Sequence, residues 1–186
     1  MGKTQSSALN VMSDKKEDFE KVVLPHLAYL YRVAFCLARR NREDREDLVQ
    51  ETIVKAYKSF HQLNHNEKCR AWLTSILYNT FLNKYRREKE NPVILQPIEE
   101  TLVYQQDPEN KILEKVKYEE VLKALYELPE EYRTVIIFSD MQDLSYKEIT
   151  EILGVPIGTV RSRLSRGRQL LRAKLFESSK EGVSMK

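Results

Sequence analysis

At 186 residues the chain has room for one domain or two small ones, and an apolar share of 41% suffices to bury cores of ordinary size. A formal net charge of +3 with 32% charged residues is only mildly basic, so a polyanion site must come from local clustering rather than overall charge. No apolar run reaches the roughly 18 residues of a membrane span, and the stretch MGKTQSSALNVMSDKKEDF lacks the apolar core of a secretory signal, so a cytoplasmic chain is expected. Cys36 and Cys69 are too few and too distant for a disulfide framework or a CxxC pair, and both are expected to be reduced thiols.

Apolar residues recur at three and four positions and scarcely at two, which predicts an all-α fold. From Phe19, the residues Val22, Val23, Leu27, Leu30, Ala34 and Leu37 share a face, with Pro25 dividing a short helix from one running to about Arg40. NREDREDLVQETIVKAYKSF follows. Its stripe is Leu48, Val49, Thr52, Ile53, Ala56, Tyr57 and Phe60, its first turn is crowded with acids, and its opposite face carries Asp47, Gln50, Glu51 and Lys55. A polar loop, HQLNHNEK, leads to a third helix with Ala71, Trp72, Ile76 and Leu77 that ends in NKYRREK.

The pattern fails in NPVILQPIEETLVYQQDPEN, which holds three prolines and four acids without a lysine or arginine. This predicts an extended acidic linker, residues 91–110, between two small helical domains, residues 15–90 and 111–176, with loose ends at 1–14 and 177–186. Asp107 before Pro108 signals a helix start, that helix should run to about Leu128, and Pro129 should open another through Val135, Ile136 and Phe138. Ser145 and Glu148 form a capping box for a further helix, which Gly154 is placed to end in the left-handed conformation.

Ile149, Ile152, Leu153, Val155, Val160 and Leu164 supply the apolar contacts that lock two short helices into a helix-turn-helix. The second helix then presents Thr159, Arg161, Ser162, Ser165, Arg166 and Gln169 outward, a set suited to base edges and phosphates in a major groove. Six basic residues and no acid lie between Pro156 and Lys174, whereas a merely solvated helix face normally mixes both signs. In the first domain Trp72, Tyr78, Phe81 and Tyr85 lie among Lys84, Arg86, Arg87 and Lys89, with amides at Asn79 and Asn83. Aromatics at this spacing are commonly core, but rings among cations also suit stacked bases of single-stranded nucleic acid. A chain that both finds and opens DNA needs both modules.

From about Phe19 to Lys174 the sequence resembles the sigma factors of bacterial RNA polymerase, in the extracytoplasmic function (ECF) group of the sigma-70 family. The resemblance rests on DLVQETIVKAYKSF, the AWL of CRAWLTSILYNTFLNKYRR, LPEEYRTVIIF and LSYKEITEILGVPIGTVRSRLSRGR, in this order. It implies a promoter-specificity subunit with a role in stress response. Core RNA polymerase would be bound through the clamp coiled coil of its largest subunit, by Asp47, Leu48, Val49, Gln50 and Glu51, and through its flap region. Minus-10 melting and capture of a flipped base would fall to Trp72, Tyr78, Asn79, Thr80, Phe81, Asn83, Lys84, Arg86 and Arg87, with Asn79 at the loop position lining the base pocket. Minus-35 readout would fall to Thr159, Arg161, Ser162, Ser165, Arg166 and Gln169. Promoter DNA, duplex and single-stranded, and an anti-sigma factor are the other implied partners, and the acidic linker would thread the polymerase's active-site channel.

Where the family often has alanine at the tight contact inside the helix-turn-helix, this chain has Thr150, small enough to fit with a slight adjustment. His61, His65 and Cys69 recur every four residues, but Asn64 and Asn66 argue for a loop there, and neither a metal nor a cofactor is expected. An enzyme is not expected either: Glu99 and Glu100 sit in a prolyl linker, and five glycines include no phosphate-binding loop. The second reading is a stand-alone helix-turn-helix regulator, in which the polar face of the second helix and the acidic linker have no role.

Overall fold

The computed structural model of the chain describes residues 15–38, 42–89 and 118–183; every regular element among them is helical. The chain divides into two compact units. The expected linker at 91–110, the helix start at Asp107 and the segment 1–14 lie outside the described residues.

The first unit contains α1 (15–23), a 3-10 turn (Leu24–His26), α2 (Leu27–Leu37), α3 (Arg42–Ser59) and α4 (Cys69–Lys89). Pro25 falls in the first positions of that turn, where its missing N–H costs nothing, and α2 ends at Leu37. Leu30 and Val33 of α2, Leu48, Val49 and Ala56 of α3, and Leu73 and Leu77 of α4 are sealed from solvent. Each large side chain among them contributes about 1.5–3 kcal/mol of transfer free energy. Inside this core the Tyr29 hydroxyl meets Thr74 Oγ1 at 2.7 Å, Thr74 donates onward to the Arg70 carbonyl, and the Arg70 guanidinium lies 4.4 Å from the Tyr29 ring centre.

The expected loop before α4 carries two 3-10 turns, Phe60–Gln62 and Asn66–Lys68. They leave His61 and His65 exposed, while Cys69 is buried with its thiol 3.7 Å from the Val22 carbonyl. Burial pushes that thiol up to about 11, so it remains protonated and acts as a small core residue, as does the buried Cys36.

The second unit contains α5 (118–126), α6 (Glu130–Ile136), a π-helical turn (Ile137–Met141), α7 (Tyr146–Leu153) and α8 (Ile157–Val183). The helix expected from Pro129 through Phe138 widens at Ile137 instead of continuing as a regular helix. Five consecutive residues, Thr134 to Phe138, are buried, more than one face of a regular helix can cover, so this segment packs on several sides. Asp143 closes the following turn at φ 52, a left-handed conformation that Asp tolerates better than most residues. Helix α8 packs chiefly on α6 and then on α7. It continues past Glu177, where the sequence suggests a loose end, because no proline interrupts it and the next glycine after Gly167 is Gly182.

Candidate nucleic-acid and docking interfaces

The helix-turn-helix of the second unit forms as its punctuation dictates. Ser145 Oγ accepts from the Glu148 N–H at 3.3 Å, the Glu148 carboxylate accepts from the Ser145 N–H at 2.8 Å, and Gly154 takes φ 65 at the end of α7. Thr150 is half-buried with its hydroxyl paired inside α7, donating to the Tyr146 carbonyl at 2.9 Å, so that polar group is not stranded. Ile149, Val160 and Leu164 are sealed, Ile152 is buried, and Leu153 and Val155 are half-buried.

This frame divides the six basic residues between Pro156 and Lys174 into two classes. Three are taken up by the unit's own acids: Arg163 pairs with Glu131 at 3.1 Å, Lys174 with Glu127 at 2.7 Å, and Arg168 makes a two-pronged pair with Asp140 at 2.6 and 2.9 Å. The hydrogen bonds from Arg168 hold the Asp140 carboxyl below the usual carboxylate range. Arg161, Arg166 and Arg172 are exposed and pair with no acid among the described residues. Ser162, Ser165 and Gln169 are exposed beside them, and Thr159 is half-buried. Ser162 Oγ donates to the Thr159 carbonyl at 3.0 Å, which leaves its lone pairs free to accept.

In the first unit α4 separates the aromatic and basic cluster. Asn79 and Asn83 are exposed and Trp72 is half-buried; at spacings of seven and eleven from Trp72 the two amides fall on its side of the helix. Helix α4 is unbroken through Asn79, so that residue is presented from a helix and not from a loop. Thr80 and Phe81, expected at the DNA surface, are buried at 1% and 7% exposure because they continue the core stripe of Leu73 and Leu77. The Tyr78 ring stacks on Phe81 with centres 6.5 Å apart. Thr80 Oγ1 donates to the Ile76 carbonyl and accepts from Lys55 Nζ at 3.1 Å. Helix α4 spans Arg86 and Arg87, whose side chains lie outside the described residues.

On α3, Asp47 and Gln50 are exposed and Glu51 is half-exposed. Leu48 and Val49 are at 2% and 1% exposure, so they seat the helix in the core rather than forming its outer surface. Glu51 contacts Lys55 at 2.8 Å and Lys84 of α4 at 3.9 Å, which ties the α3 face to the α4 surface. Val54, one turn beyond Gln50, is 52% exposed and makes an apolar spot on an otherwise polar face.

Two functional candidates escaped the sequence reading. Arg172 continues the ridge of Arg161, Ser165 and Gln169, a spacing visible in the sequence, although the groove-facing set was closed at Gln169. Val54 carries no local signal, since an isolated valine on a polar stripe resembles any surface apolar residue.

The family Sigma-70 region 2 matches residues 22–91, and the family Sigma-70, region 4, matches residues 118–171. The chain is 35% identical over 168 residues to the ECF RNA polymerase sigma factor SigE of Mycolicibacterium smegmatis, covering 88% of this chain but only 63% of SigE. It is 32% identical over 181 residues to the RNA polymerase sigma factor SigV of Bacillus subtilis, covering 97% of this chain and 96% of SigV. Among solved structures, the sigma factor RpoE of Bartonella quintana, crystallised with the anti-sigma factor NepR, matches with a TM-score of 0.72 and 29% identity, over 86% of this chain and 97% of RpoE.

Proposed function

Since the chain belongs to the ECF group of the sigma-70 family, we propose that it binds core RNA polymerase and directs promoter-specific initiation through two separate DNA contacts. The observation that carries this reading is the chemistry of the two exposed surfaces. The region 4 match presents an acid-free arginine and serine face on α8, and the region 2 match presents amides beside a half-buried tryptophan on α4.

The mechanism is positional. Asp47, Gln50 and Glu51 dock on the clamp coiled coil, and the second unit engages the flap region. Each DNA contact is weak alone, but holding both on one polymerase raises the effective concentration of the second once the first has formed. On the minus-35 element, Arg161 and Arg166 bridge acceptors on base edges while Ser162, Ser165 and Gln169 supply hydrogen bonds along the groove. On the minus-10 element, Asn79 and Asn83 read the edge of an unstacked base that Trp72 supports, which offsets part of the melting cost. Lys84, Arg86 and Arg87 neutralise phosphates of the same strand.

Phosphodiester chemistry is left to the polymerase, and the chain acts in the cytoplasm. It is open to control by an anti-sigma factor that covers one of these surfaces; the RpoE relative was crystallised with the anti-sigma factor NepR.

The direct experiment is transcription by purified core polymerase from a pooled promoter library, with and without the chain, followed by sequencing of the transcript starts. New starts sharing two spaced motifs are expected. Unchanged starts, with no binding to core, would hand the chain to the stand-alone regulator reading. Arg161→Ala and Arg166→Ala should each weaken preference for the intact minus-35 element by about 1–3 kcal/mol, roughly 5- to 150-fold. An equal loss on scrambled upstream DNA would reduce that side chain to a phosphate contact. Asn79→Ala should alter base choice in the minus-10 element with little effect on folding, because the residue is exposed; an unaltered preference removes it from the pocket.

A further inference from the structure

Continuous with the proposed minus-35 face, and sharing Arg161, Ser165 and Gln169 with it, lies a concavity that also takes in Arg172, a residue which that reading does not use. This open concavity of about 260 Å³ runs along α8 beside Tyr146 at the start of α7, and its lining includes Arg161, Ser165, Arg168, Gln169 and Arg172. Along α8 the residues Arg161, Ser165, Gln169 and Arg172 follow at intervals of four, four and three, so they form one ridge along the helix. All four carry hydrogen-bond donors, and no carboxylate lines the space.

Charge pairing sharpens the point. Arg168 also borders the concavity, but its guanidinium is spent on Asp140 in the two-pronged pair, which neutralises it and fixes its position. Arg172 sits one turn further along, exposed, with no acid partner among the described residues. The acids that absorb Arg163, Arg168 and Lys174 thus leave Arg161 and Arg172 as the unpaired charges at the rim among the described residues, and with Arg161 turned to a base edge, Arg172 is the cation left for a phosphate. A concave surface with an available cation, a hydroxyl and an amide suits an anion with several acceptor oxygens. Backbone phosphates present such oxygens at every step of a duplex, whatever its sequence.

The geometry points to a phosphodiester site: the concavity along α8 seats the sugar-phosphate backbone of the upstream duplex, with Arg172 as its anchor. The inference rests on the reading of α8 as a duplex reader and extends it to a residue, Arg172, outside the base-reading set. The contact fixes the register of the helix in the groove and carries no sequence information. It gives the second unit an affinity for duplex that does not depend on the minus-35 sequence, and it lies further along α8 than the base readers Arg161 and Arg166.

The test compares the wild-type chain with Arg172→Gln and Arg172→Lys, both as full chain bound to core polymerase on a promoter duplex and as full chain alone on duplex DNA. Affinity is followed between about 50 and 200 mM salt. With Arg172→Gln the slope of log affinity against log salt is expected to fall by about one, and affinity should drop by the same factor on intact and scrambled minus-35 duplexes. Arg172→Lys, which keeps the charge, should retain the slope. An unchanged slope with Arg172→Gln overturns the site, and a loss confined to the intact minus-35 element overturns the phosphate assignment by making Arg172 a base reader. Inorganic phosphate serves as the small-anion probe. If it raises the melting temperature of wild-type chain but not of Arg172→Gln, while the DNA slopes of the two agree, the site takes free phosphate and the duplex assignment falls. Should wild-type chain fail to direct core to any promoter, the sigma reading fails, while the slopes measured on the chain alone still decide the role of Arg172.

Discussion

Gly167→Val is expected to lower the stability of the second unit by about 3 kcal/mol or more and to abolish minus-35 readout with it. Gly167 lies within α8, where glycine costs roughly 0.5–1 kcal/mol against alanine, so an intrinsic helix preference would favour replacement. The packing argues the other way. A Cβ at position 167 would lie 2.9 Å from Ile136 Cδ1, 3.2 Å from Tyr132 Cβ and 3.3 Å from the Tyr132 carbonyl oxygen. The isoleucine tip can swing aside, but the Tyr132 backbone is held inside α6, so added volume must push the two helices apart. Gly167→Ala sets a helix gain of up to about 1 kcal/mol against an overpacking cost of about 1–3 kcal/mol, for a modest net loss. Gly167→Val adds two methyl groups and a β-branched side chain to the same gap, and the loss becomes large.

Gly158 provides the control, since nothing lies within 4 Å of a Cβ built there. Gly158→Ala should leave folding unchanged or raise it by up to about 1 kcal/mol. The measurement is thermal unfolding of the full chain followed by promoter binding. For a unit of this size each kcal/mol shifts the melting temperature by roughly 4–8 °C. A melting temperature that rises with Gly167→Ala would mean that α6 and α8 are not in close contact at Tyr132.

The same contact explains what could and could not be read from sequence. Helix α7 and its junction with α8 were legible residue by residue, because Ser145, Glu148 and Gly154 act within a few residues of their own backbone. The stripe of α3 was legible for the same reason: helical period alone sends Leu48, Val49, Thr52 and Ala56 inward. What distinguishes one arginine of α8 from another was not legible. The partners of Arg168 and Lys174 lie 28 and 47 residues away, and no local pattern indicates which cations they neutralise. Thr80 and Phe81, expected at the DNA surface from the resemblance and the nearby rings and cations, are buried, because helical phase puts them on the side of Leu73 and Leu77. The π-helical turn, which begins inside a run of five buried residues, had no local signal either.

Helical phase also sets the second large effect, because it separates residues of α3 that are adjacent in sequence. The double substitution Asp47→Lys, Gln50→Lys is expected to reduce affinity for core polymerase at least 30-fold while leaving the melting curve of the free chain intact. Both side chains are exposed, so their replacement disturbs no packing. Truncating one central interface residue commonly costs 2 kcal/mol or more, and reversing a charge at a complementary contact adds repulsion to that loss.

Leu48→Ala next door should behave in the opposite order. It leaves a cavity in the core, costs about 2–5 kcal/mol of stability, and weakens core binding only through unfolding. Glu51→Gln should fall between the two: it removes one charge from the docking face and also releases Lys55 and Lys84. Val54 is 52% exposed on the same face as Gln50, an apolar spot inside a polar rim of the proposed docking surface, so Val54→Asp should weaken core binding without destabilising the chain. Titration of labelled core polymerase, paired with thermal unfolding of each variant, separates these outcomes. Full-strength core binding by the Asp47→Lys, Gln50→Lys chain with an unchanged melting curve would move the docking site off α3 altogether.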